Sequence, residues 1–259
     1  YYADRLYQLP LGIVGIAVGV VLLAALARRL RAGDRAAALD SQNRSLEFAL
    51  LLTLPAAVAL AVAAEPIIQV LFERGAFTAT DTPKAAAALA AFAFGLPAFV
   101  LIKVFQPAFF AREDTKTPMR YAAVNMVVNV VGSIALFFAF RYLGYQPHVG
   151  IALATTVAAW INAVMLFVTL RRNGDFEVDR RLARNLPLIV LASFAMGGVL
   201  FLSLELLAPY LDRAMPLVTR AGALAVMVGV GLAGFAVMVI GTGVLSPAQL
   251  GRFFGRRRG

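Results

Sequence analysis

The apolar positions of this chain fall into seven long stretches, divided by short connections that carry most of the charge. A bilayer core of ~30 Å takes about 20 mostly apolar residues in helical form. Seven segments meet that length: Leu6–Ala27, Leu46–Ala64, Ala85–Phe110, Tyr121–Phe140, Gly150–Leu170, Leu186–Leu207 and Ala221–Leu245. The pattern predicts an all-α polytopic membrane protein with seven transmembrane helices. No connection has the length of a soluble domain, and neither an internal repeat nor a low-complexity linker divides the chain.

The loop charges set an orientation. The first loop holds Arg28, Arg29, Arg31, Arg35 and Arg44, and the third holds Arg112, Lys116 and Arg120. The fifth holds Arg171, Arg172, Arg180, Arg181 and Arg184, and the tail adds Arg252, Arg256, Arg257 and Arg258. The opposite side has only Arg5, Arg74, Lys84, Arg141, Arg213 and Arg220. Cytoplasmic loops carry the Lys/Arg excess, so the N-terminus of this chain is expected outside and the C-terminus inside.

Composition agrees with this reading and narrows the chemistry. The chain is 61% hydrophobic and 15% charged over 259 residues, with a mean hydropathy of +0.81. Soluble domains run to roughly 45–50% apolar and about 25% charged. The net charge of +10 is accounted for by topology, so nucleic acid is not an expected partner. The tail GRFFGRRRG also suits anionic lipid headgroups. There is no Cys and one His, His148, which excludes disulfides, thiolate chemistry and a His-based metal site. The start has neither an initiator Met nor a charged n-region, so it is read as a cut within a longer protein rather than a signal peptide.

Ionisable and amide side chains at membrane depth are the functional candidates. In the first segment Tyr1, Arg5, Gln8, Gly12, Gly15 and Gly19 share one helical face, with Asp4 beside it. Arg5 has two readings. It snorkels at the outer interface, or it serves as a guanidinium in a water-filled cavity, where its fork suits a diphosphate. Gly15 and Gly19 leave open space or admit a close neighbouring helix. Lys103 lies inside the third segment, followed by Gln106 and Pro107, where the helix is expected to kink or open. It is either a cavity cation or a lysine reaching for the inner headgroups. Asn125 and Asn129 share a face with Gly132, and Thr155 shares one with Asn162 beside Thr156. Interhelical hydrogen bonding explains such groups without any ligand. The last two segments carry no charge in their cores. No phosphate loop, no H-E-x-x-H and no carboxylate pair at membrane depth is present, so an enzyme is not expected.

Three blocks carry a family resemblance: YYADRLYQLPLGIVGIAVG at the start, PIIQVLFERGAFTATDT at 66–82 and FFAREDTKTP at 109–118. Together with their spacing they resemble the MurJ (MviN) lipid II flippases, within the multidrug/oligosaccharidyl-lipid/polysaccharide exporters. The resemblance implies a 14-helix, two-lobe flippase of which this chain would be helices 8–14. Residues 1–170 would form the C-terminal lobe of the transport core, with five transmembrane helices. Residues 171–259 would form two accessory helices and the basic tail. The expected partners are lipid II, membrane lipids and the N-terminal lobe of the same protein, in the bacterial inner membrane.

Family members carry the undecaprenyl-diphosphate-linked precursor from inner to outer leaflet by alternating access. The resemblance assigns substrate binding to Arg5, with Asp4, Gln8 and Lys103 as further candidates. It also implies an apolar groove for the prenyl tail at the final helix pair. Asn125, Asn129 and Thr155 or Thr156 resemble positions of a sodium site in some members. Asn129 stands where an Asp can occur, which removes a charged ligand that a hard cation prefers. No cofactor is expected, and Na+ or the membrane potential are the candidate driving forces. The rival cargoes are another lipid-linked oligosaccharide, or a drug/cation exchange that would call for a central carboxylate. A seven-helix receptor or retinal protein shares the layout, but this chain has neither the Cys pair of a receptor's extracellular disulfide nor, within residues 221–245, the Lys a retinal protein would need.

Overall fold

A computed structural model describes residues 2–245, apart from the side chains of residues 2, 13, 14, 16–18 and 20. Tyr1 and the basic tail lie outside the described residues. Within them the chain forms nine helices and no strand: α1 (Tyr2–Arg31), α2 (Arg35–Val62), α3 (Ala64–Phe72), α4 (Thr82–Ala93), α5 (Leu96–Phe110), α6 (Lys116–Tyr142), α7 (Pro147–Arg172), α8 (Arg180–Leu211) and α9 (Leu217–Gly241). Six described segments are long and apolar enough to cross a membrane, counting α4 and α5 as one. The first expected segment is covered by α1, 30 residues long. The second, expected over Leu46–Ala64, corresponds to α2, and the short helix α3 follows where a connection is expected.

The main core joins α1, α2, α5 and α7 around Leu26, Leu50, Val104, Phe105 and Leu166. A second cluster ties the start of α1 to α3 and α4 through Tyr7, Ile68 and Leu89. A third lays α8 and α9 on α2 through Leu51, Met196, Leu200 and Met227. α6 packs chiefly on α7. Glycine sets that crossing: a Cβ on Gly150 would lie 2.7 Å from the Leu136 carbonyl oxygen, so only a bare backbone permits the approach.

The expected kink at Gln106–Pro107 is replaced by a break higher in the segment. Pro107 sits inside α5, while the chain turns at Phe94–Gly95, between α4 and α5. Pro97 at the start of α5 has no N–H to offer the preceding turn. The Gly95 N–H bonds the Phe92 carbonyl at 2.9 Å, one residue short of the helical partner. Near the end of α5 the helix runs on through Pro107 to Phe110.

The loops fall into two sets, as the charge pattern predicts. On one side Arg112 Nε pairs with Asp175 Oδ1 at 3.0 Å, and Asn43 Nδ2 donates to the Glu177 carbonyl at 2.8 Å. These bonds tie the connections after α1, α5 and α7 together. On the other side Arg213 Nε pairs with Glu73 Oε1 at 3.0 Å, and His148 Nε2 meets the Lys84 carbonyl at 2.9 Å.

Candidate functional site

The first turns of α1 present Asp4, Arg5 and Gln8. Arg5 and Gln8 are exposed and Asp4 is half-buried. Gln8 Nε2 donates to Asp4 Oδ2 at 2.6 Å, an i,i+4 bond along the helix. Tyr7, one residue round the turn, points inward and is buried. This separation follows from helical spacing: adjacent residues face different ways, so one turn supplies both a core anchor and a polar outer edge.

Below that edge the glycine stripe forms the floor of a cleft of about 360 Å³. Leu11, Gly12, Gly15, Gly19 and Leu23 of α1 line it opposite Lys103, Gln106, Pro107 and Phe110 of α5. A Cβ on Gly15 would lie 3.3 Å from Lys103 Cγ, and one on Gly19 would lie 3.6 Å from the Lys103 carbonyl oxygen. The small residues therefore do both things expected of them. They admit α5, and they leave room beside it. Lys103 is exposed to the cleft. It packs at Gly15, which lies about ten residues down α1 from Arg5, or ~15 Å at the helical rise. The two cations mark the ends of one strip and do not share a cluster.

The other candidates are placed differently. Thr155 Oγ1 donates to its own helix at Ile151, 3.0 Å away. Thr156 Oγ1 donates to the Ala91 carbonyl at 2.9 Å, across to the end of α4. Asn129 Oδ1 accepts from Ser133 Oγ at 3.2 Å. Asn125 Oδ1 and Asn162 Oδ1 are buried without a hydrogen-bond partner. Only neutral oxygens are offered on α6 and α7, and three of the four candidate groups, Asn129, Thr155 and Thr156, already have a hydrogen-bond partner. Among the described residues no cluster of three His, Cys, Asp or Glu side chains exists. Such a donor set attracts a hard cation less strongly than one that includes a carboxylate.

An apolar groove lies beside α8, the first helix of the final pair. A cavity of about 530 Å³ is bounded by α2, α4, α5, α7 and α8, with Val58, Phe94, Trp160, Phe194 and Phe201 in its walls and Ser193 as its one hydroxyl. No α9 residue lines it. The α8–α9 interface is closed, because a Cβ on Gly231 would lie 2.6 Å from Leu200 Cδ2. α8 is thus one wall of a groove whose other walls belong to the core.

Sequence reasoning missed Glu47. It sits in the second apolar segment, 6% exposed. Arg44 bonds it from one turn earlier, Arg181 Nε lies 3.3 Å away, and Asn185 Nδ2 donates to it at 2.6 Å. Arg44 also bonds Asp179, the N-cap of α8. The signal was an Arg-x-x-Glu pair at helical spacing at the head of an apolar run, here serving structure.

Comparison with known proteins places this arrangement. Residues 1–219 match the family described as lipid II flippase MurJ. The probable lipid II flippase MurJ of Rhizobium tropici is 47% identical over 257 residues, covering 99% of this chain and 47% of that protein. Its counterpart from Vibrio cholerae is 35% identical over 244 residues, covering 94% of this chain and 45% of that protein. A solved structure titled "Lipid II flippase MurJ, inward closed conformation" superposes with a TM-score of 0.71 at 27% identity, covering 94% of this chain and 47% of that one. The chain spans about half the length of these relatives. This chain belongs to the MurJ lipid II flippase family.

Proposed function

We propose that this chain is the C-terminal part of a lipid II flippase, and that the strip from Arg5 to Lys103 is its share of the cargo path. The observation that carries the reading is the strip itself. A polar edge of Asp4, Arg5 and Gln8 continues into a glycine-floored cleft with Lys103 at its far end. A guanidinium fork binds phosphate oxygens bidentately, so Arg5 holds the diphosphate when the cavity opens outward. Lys103, a point charge on a flexible stem, meets the same group nearer the inner side. The groove walled by Phe94, Trp160 and Phe201 suits the apolar prenyl chain. Rocking of this lobe against its counterpart then carries the head across.

In this reading the loops after α1, α5 and α7 face the cytoplasm of a bacterial inner membrane, in keeping with their arginines. We take the membrane potential as the driving force, since the oxygens on α6 and α7 include no carboxylate to strengthen the hold on a hard cation.

The test is rescue of cells depleted of their own lipid II flippase by this chain joined to the N-terminal half of the Rhizobium tropici relative. Rescue by wild type but not by Arg5→Ala, at equal membrane levels, is the expected result. Rescue by both would leave Arg5 an interfacial anchor. Failure of an expressed wild type would favour another lipid-linked cargo.

A further inference from the structure

The α4–α5 break is held from both sides, by donors on α7 and by an aromatic stack on α1. On the α7 side Thr156 Oγ1 donates to the Ala91 carbonyl at 2.9 Å. One turn later Trp160 Nε1 donates to the Phe94 carbonyl, also at 2.9 Å. The first bond meets a defined need, since the Gly95 N–H that would ordinarily serve Ala91 goes to Phe92 instead. On the α1 side the Tyr7 ring stacks on Phe92, with centroids 4.9 Å apart, and on Phe99, at 5.6 Å. Those two phenylalanines stand on opposite sides of the break.

Gly95 sits at the centre. A Cβ there would lie 2.7 Å from Thr156 Oγ1, 3.0 Å from the Phe99 ring and 3.2 Å from the Phe92 carbonyl oxygen. No larger residue fits without opening the clamp. The break also adjoins both parts of the proposed cargo path. Tyr7 lies between Arg5 and Gln8 on α1, while Phe94, Pro97 and Trp160 are walls of the apolar groove.

We propose that the Phe94–Gly95 break is a hinge, latched by Tyr7 on one face and by Thr156 and Trp160 on the other, that couples the polar edge of α1 to the apolar groove. The proposal rests on the flippase reading above. Hinges are a few element-terminal positions that absorb a change in backbone angles, and here the two half-helices keep their own packing on each side. A motion of α1 reaches Phe92 and Phe99 through the Tyr7 ring. It then reaches the groove through the bond from Trp160 to Phe94. Thr156 and Tyr7 are positioning residues in this scheme.

The test is amide deuterium exchange over residues 92–99 in the full-length flippase in nanodiscs, with and without lipid II, with lipid II binding measured on the same sample. In wild type, lipid II should change exchange at 92–99. Thr156→Val should raise the basal exchange there roughly fivefold, the factor expected from loss of one neutral hydrogen bond, and should blunt the response to lipid II. Thr156→Ser, which keeps the hydroxyl, should behave as wild type. Lipid II binding to wild type without any change at 92–99 would overturn the hinge and leave the flippase reading standing. An undiminished response in Thr156→Val would do the same. Absence of lipid II binding to wild type would remove both.

Discussion

Two polar regions of this molecule use the same residue types to opposite ends. Around Glu47 the charges are drawn inward and spent on one another: Arg44, Arg181 and Asn185 converge on a single buried carboxylate. Along α1 the polar groups are turned outward. Gln8 and Arg5 are exposed, and Lys103 faces an open cleft floored by glycine. A saturated cluster has nothing left to offer a ligand. An open strip of cations beside missing side-chain volume does. On the proposed function, the difference separates polar groups that hold the fold from polar groups that meet cargo.

The largest effect is expected at the saturated cluster, on stability. Glu47→Ala takes the acceptor from the buried Asn185 amide and one partner each from Arg44 and Arg181, and leaving a buried donor unsatisfied costs about 1–3 kcal/mol. Membrane abundance and thermal midpoint should both fall, whereas Arg5→Ala should leave both unchanged. A Glu47→Ala protein as stable as wild type would erase the distinction between the regions.

Next comes the cleft. Gly15→Val places branched carbon against Lys103, whose Cγ is already 3.3 Å from a Cβ at that position. Over-packing of this kind costs typically 1–3 kcal/mol, and it fills the cargo path as well. Transport should fall more than abundance does, measured as translocated lipid II per copy of protein. An equal fall in both would mark Gly15 as a packing residue only.

A third outcome concerns the ion. Neutral oxygens on α6 and α7 attract a hard cation less strongly than a set with a carboxylate, so replacing Na+ by K+ should leave transport unchanged while collapse of the membrane potential stops it. A strict Na+ requirement would return Asn125, Asn129, Thr155 and Thr156 to the candidate site.

How much of this was legible in the sequence depends on the distance over which each feature is determined. The apolar segments and the two sets of loops could be read directly, because length, hydropathy and arginine placement are local. The strip on α1 could be read as well, since Arg5, Gln8, Gly12, Gly15 and Gly19 follow one helical period. The break could not. Gly95 and Pro97 lie in an unbroken apolar run much like Gln106 and Pro107, and what fixes the turn at Phe94–Gly95 is a pair of donors on α7, more than sixty residues away. The same remoteness hid Glu47, whose partners arrive from α8. It also hid the bond from Thr156 to Ala91.

The smallest effect is at a loop. The Thr117 backbone N–H donates to Asp114 Oδ1 at 3.0 Å and holds that carboxyl below its ordinary range. A depressed carboxylate contributes stability above the unfolded value and loses it as pH falls through the folded one. The thermal midpoint of Asp114→Asn should therefore lie slightly below wild type above about pH 4, and the gap should close at lower pH. A gap that persists in acid would point to packing instead of charge.

The central claim is that the outward-facing polar edge of α1 meets the diphosphate. Its most direct test is the dissociation constant for lipid II of the full-length protein carrying Arg5→Ala, measured beside its thermal midpoint. A charge-assisted bond is worth about 1.5–3 kcal/mol, so binding should weaken by roughly tenfold or more with the midpoint unmoved. Unchanged affinity at an unchanged midpoint would contradict the account and leave Arg5 a membrane anchor.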